Sequence, residues 1–90
     1  MKIVVMCGLG LGTSAILKVN AERALKRLDI EAEVSATDVA GVQSAAADAQ
    51  VILTSSELVI AIGQTNADVI VIDNVFDLDE LTAKLDIALG

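Results

Sequence analysis

Three short, uninterrupted apolar runs, Ile3 to Met6, Val51 to Leu53 and Val69 to Ile72, constrain what this chain can fold into more than any other feature. Runs of this length without alternation are the pattern of parallel strands covered on both faces, and all three read as central strands. The segment Glu31-Ala32-Glu33-Val34-Ser35-Ala36 alternates charged or polar with apolar residues instead. That suits a strand with one exposed side, at the edge of a sheet.

The segments between the strands read as helices. Leu17, Ala21, Ala24, Leu25 and Leu28 recur at helical spacing, with Lys18, Glu22, Arg23, Lys26 and Arg27 on the other side. This predicts an amphipathic helix of about four turns, with Thr13 or Ser14 capping its start. At the carboxyl terminus, Asp77 followed by Glu80 forms an acidic variant of the capping box, and Phe76 with Leu81 forms a hydrophobic staple. Leu78, Leu81, Leu85 and Leu89 then mark the buried stripe of a last helix. A middle helix around Val42 to Asp48 and a short one from Ser56 to Ile62 complete the series.

Strand and helix thus alternate four times, which implies right-handed crossovers. The expected fold is α/β: a four-stranded parallel open sheet flanked by helices on both faces, a flavodoxin-like or Rossmann-like three-layer arrangement. Ninety residues suit one domain, 1–90, with no repeat or linker inside it. With 54% hydrophobic residues and a single aromatic, Phe76, the core must be built from Val, Ile, Leu and Ala.

Charge narrows the function. Thirteen acidic against six basic residues give a net charge of −7, which argues against nucleic acid as a partner because phosphate-backbone binding needs a basic surface. Four of the six basic residues, Lys18, Arg23, Lys26 and Arg27, fall in one segment. They form either a solvated helix face or a local patch that docks an acidic partner. A lone cysteine forms no internal disulfide, and the apolar run before the first glycine is too short for a signal peptide. The expected compartment is the reducing cytoplasm. Leu58 to Gly63 is apolar but far too short to span a bilayer.

That lone cysteine, Cys7, follows the first apolar run directly and precedes Gly8-Leu9-Gly10-Leu11-Gly12-Thr13-Ser14. A thiol between a strand and the loop feeding a helix faces converging N–H groups and the positive end of a helix dipole. Both lower its pKa and favour a phosphate on the sulfur. The glycines allow a tight anion nest, to which the hydroxyls of Thr13 and Ser14 can add donors.

Several readings compete for this loop. Cys7 can be a small apolar residue at a buried strand end. The dinucleotide fingerprint G-x-G-x-x-G fails, since Thr13 stands where the third glycine belongs. A P-loop nucleotide site fails too, because Lys18 is already inside the helix. A cysteine phosphatase of the C-x5-R-[ST] type needs an arginine where Thr13 stands. Without it, the hydrolytic transition state loses its main clamp. The loop can still hold a phosphoryl group, and a site that forms phosphocysteine and keeps it from water is a carrier that passes the group on. The alternatives are an arginine-less low-molecular-weight phosphatase-like protein, a thiol redox sensor and an anion-binding module.

The run Cys7-Gly8-Leu9-Gly10-Leu11-Gly12-Thr13-Ser14 resembles the active-site loop of IIB components of the bacterial phosphoenolpyruvate-dependent sugar phosphotransferase system. Among IIB types it is most similar to the ascorbate type, with the galactitol type close behind. The lactose/cellobiose type shares the architecture with a different loop. The resemblance implies that Cys7 is the phosphorylated, catalytic residue and that Gly8, Leu9, Gly10, Leu11, Gly12, Thr13 and Ser14 hold the phosphoryl oxygens. It implies a IIA phosphohistidine protein as donor and, as acceptor, a sugar, ascorbate first, held by a membrane IIC transporter. The chain itself would be peripherally associated with that transporter. No metal or other cofactor is required by such a scheme. A chain with no histidine cannot carry the phosphohistidine stage itself. Thr54, Ser55, Ser56, Asp73 and Asn74 also fall on the expected active edge, with helix capping and turn formation as their competing roles.

Overall fold

The computed structural model describes residues 1–6, 13–56, 58–63, 65–74 and 77–89, with Thr13 and Ser14 described by their backbone alone. Four strands, β1 (Lys2–Met6), β2 (Glu33–Thr37), β3 (Val51–Thr54) and β4 (Asp68–Val71), form one parallel sheet in the order β2-β1-β3-β4. The helices are α1 (Thr13–Arg27), α2 (Val42–Ala45, continued as a 3-10 turn over Ala46–Asp48), α3 (Val59–Ile62) and α4 (Leu78–Leu89). The α/β architecture is the one the alternating pattern predicts.

Period-two alternation in the central strands divides the core in two. Ile3, Val5, Val51 and Leu53 point to one face, against Leu17, Ala21, Ala24 and Leu25 of α1 and Leu81 and Leu85 of α4. Val4, Met6 and Ile52 point to the other, against Val42, Ala46 and Ile62 of the α2–α3 layer. Each Val, Leu, Ile or Met side chain so buried stabilises the fold by about 1.5–3 kcal/mol. Leu78 and Leu89 pack half-buried at the ends of the α4 stripe.

Two elements depart from expectation. The run Val69 to Ile72 lies in and just beyond β4, which is an edge strand rather than a central one. An apolar run reports burial of side chains, not the presence of a further strand. Val69 is 36% exposed because it shares a face with its register partner Ile52, where the cover is the single turn of α3. That helix also starts later than predicted, at Val59 rather than Ser56.

At the start of α4, Asp77 accepts a hydrogen bond from the Glu80 N–H at 3.1 Å, as the capping box predicts. The reciprocal half is not formed. Glu80 reaches past Asp77 and accepts from the N–H groups of Asp73 (2.9 Å) and Asn74 (3.1 Å), while the Asp77 N–H donates to the Asn74 carbonyl. Two donors in the loop after β4, together with Lys84 one turn on, outcompete the single donor at Asp77. Phe76, and with it the predicted staple, lies outside the described residues.

Candidate functional site at the carboxyl edge of the sheet

The chain leaves β1 for β2 on one side and returns to β3 on the other, so β1 and β3 flank the topological switch point. In open α/β sheets the crevice outside the carboxyl ends of these strands is where ligands bind. Met6, the last residue of β1, and Thr13, the first of α1, bracket residues 7–12 at this edge. Cys7, Gly8, Leu9, Gly10, Leu11 and Gly12 lie outside the described residues. Thr13 and Ser14 open α1, a helix of 15 residues whose first turn carries no acidic side chain. The N–H groups of that first turn and the helix macrodipole therefore favour an anion.

On the β3 side of the crevice, Thr54 is fully buried and its Oγ1 has no hydrogen-bond partner among the described residues. Ser55 is half-buried and Ser56 exposed; the Ser55 carbonyl closes a turn by accepting from the Leu58 N–H at 3.1 Å. The N-cap of α3 is Leu58, with no side-chain capping bond. The capping role weighed for these hydroxyls is thus not seen at that position.

Asp73 and Asn74 are used structurally. Their N–H groups bind Glu80, and Lys84 Nζ lies 3.8 Å from the Asp73 carboxylate. Lys84 also donates to Glu80 at 2.7 Å and to the carbonyl of Val71, the last residue of β4, at 2.6 Å. The hydrogen bond from Lys84, followed by that from the Asp73 N–H, holds the Glu80 carboxyl below its ordinary pKa of 4.5. This clamp fixes the end of β4 to α4. Of the four clustered basic residues, Arg27 pairs with Asp79 of α4 at 2.8 Å; Arg23 and Lys26 are exposed and Lys18 is half-buried.

No helix among the described residues is long and apolar enough to cross a membrane. No curated protein matches the chain. Residues 2–86 match the family model described as PTS system, Lactose/Cellobiose specific IIB subunit, which spans every strand and reaches into the last turn of α4. The match supports the IIB resemblance and not its ascorbate subtype: a short glycine-rich loop reflects phosphate chemistry common to several IIB types and is a poor guide to the sugar. Partners of the IIA and IIC kinds follow from the family in general. The chain belongs to the lactose/cellobiose-specific IIB family of the phosphotransferase system, and is a phosphotransferase component that acts as a phosphocarrier.

Proposed function

We propose that Cys7 is the residue that carries the phosphoryl group, taking it from phosphohistidine on a IIA protein and delivering it to a sugar held by a membrane IIC component. One observation carries this reading: the only thiol, in a chain with no histidine, follows directly on the last residue of β1 at the switch point. On this reading residues 1–90 act as one domain, in the cytoplasm and at the transporter's inner face. Gly8 to Ser14 supply the N–H and hydroxyl donors for the phosphoryl oxygens.

In the first step the Cys7 thiolate attacks phosphorus in line with the phosphohistidine P–N bond. The S–P bond forms as P–N breaks, and the electron pair returns to the imidazole nitrogen, which takes up a proton. Backbone amides balance charge on the three equatorial oxygens. In the second step a sugar hydroxyl oxygen attacks phosphorus and the S–P pair returns to sulfur as thiolate. The hydroxyl proton passes to a base on the IIC side.

The family description supports lactose and cellobiose as the first sugars to try, and the resemblance of the loop puts ascorbate next. The test uses membrane vesicles bearing a candidate IIC, a phosphorylated IIA and this protein, with each sugar offered in turn. Sugar phosphate that forms with cellobiose or lactose, and only when this protein is present, is the expected result. Formation with ascorbate alone would move the sugar assignment and leave the carrier role. Steady hydrolysis of an aryl phosphate, with no sugar phosphate, would favour the phosphatase-like reading instead.

A further inference from the structure

We infer that Thr54 is a further phosphoryl-binding residue, whose hydroxyl donates to a phosphoryl oxygen when the carrier is loaded and has no partner among the described residues when it is empty. The inference rests on the reading of Cys7 as the phosphocysteine. Three observations lead to it. Thr54 is the last residue of β3 and has 0% exposure. Its Oγ1 has no hydrogen-bond partner among the described residues, and a buried hydroxyl left unpaired is a cost that valine, of the same shape, does not carry. Finally, its neighbours on that face are apolar: Val71 is its register partner across the sheet, and Ile52 precedes it on the same side of the strand. Packing alone would favour valine here.

Position says what the hydroxyl is for. The register of Ile3 with Val51, Val4 with Ile52 and Val5 with Leu53 sets Met6 level with Thr54 one step on. Neighbouring strands run about 4.8 Å apart, and Cys7 is the next residue in the sequence after Met6. Thr54 therefore stands across the β1/β3 switch point from Met6, the residue immediately before the one that bears the group. A phosphoryl group brings three strong acceptor oxygens to that crevice and removes them on discharge. A donor without a partner among the described residues gains one in the loaded state, and so favours that state over the empty one. Ser55 and Ser56, half-buried and exposed, do not carry the same unpaired cost.

The experiment equilibrates the protein with a phosphorylated IIA donor and reads the fraction of phosphocysteine by intact mass, in wild type, Thr54→Val and Thr54→Ser. Wild type is expected to load at Cys7. Thr54→Val is expected to lower the transfer equilibrium constant about tenfold, and Thr54→Ser to stay within about twofold of wild type. The urea midpoint of unloaded Thr54→Val should be no lower than that of wild type, which a purely structural hydroxyl would not allow together with the lost loading. Should the valine variant fail to fold, Thr54→Ala replaces it in the comparison with serine. Equal equilibrium constants in wild type and the hydroxyl-free variant, or a serine variant as weak as that variant, would overturn the role of Thr54 and leave the carrier reading intact. A wild type that takes no phosphoryl group at Cys7 would overturn both.

Discussion

Gly63 closes α3 at φ +73° and ψ −150°, a conformation that side-chain-bearing residues reach only under strain. A Cβ there would meet its nearest neighbour, Gln43 Nε2, at an ordinary 3.4 Å, so backbone strain rather than a clash sets the cost of substitution. Gly63→Ala is expected to lower stability by about 1–3 kcal/mol, seen as a lower urea midpoint at unchanged slope. An unchanged midpoint would contradict the assignment of strain. Some residues announce such roles in the sequence and others do not. Cys7 and its glycines stand out in the sequence because thiol and glycine carry their chemistry by type, and the carrier role given them above is a proposal. Asp29 was not: it ends α1 at φ +56°, where its N–H donates to the Lys26 carbonyl and that of Ile30 to Leu25. This is the Schellman closure that glycine usually makes. Thr54 was open in the sequence as one of three consecutive hydroxyl residues, and only its burial and an oxygen with no partner among the described residues separate it from Ser55 and Ser56.

At the scale of elements, apolar runs, alternation, helical spacing and alanine content marked the strands and helices, while position within the sheet required the fold. The β2 alternation, with Val34 buried and Glu33 exposed, told correctly of an edge. The β4 run carried no such mark, because Ile70 packs half-buried and Ile72 fully buried against the α1–α4 layer even though no further strand covers that side. The start of α4 was legible in Asp77 but not in the true partners of Glu80, which sit six and seven residues back. The Lys84–Glu80 clamp has a consequence for pH dependence. Because the folded Glu80 carboxyl titrates below its ordinary value of 4.5, its contribution is complete above that value and fades as pH falls through the lowered one. Glu80→Gln is expected to be less stable than wild type at neutral pH and to lose less stability on acidification. Acid unfolding followed by circular dichroism checks this; identical acid slopes in the two proteins would contradict it.

For the whole molecule, two helix layers bury both faces of a sheet whose first strand is followed directly in the sequence by the only thiol in the chain. A protein of net charge −7 that accepts a phosphoryl group must offset that charge locally, and the amino terminus of the 15-residue α1 supplies the positive end of a helix dipole for this. The sugar was not legible, because in this account it is held by the membrane partner and leaves no pocket for itself in this chain's sequence. The central claim is that Cys7 bears the phosphoryl group, and the most direct test is intact mass with peptide mapping after incubation with phosphoenolpyruvate, the general phosphorelay proteins and a IIA protein. The account predicts one phosphoryl adduct, mapped to Cys7 and lost in a folded Cys7→Ser variant. An adduct elsewhere, or equal phosphorylation of that variant, would contradict it.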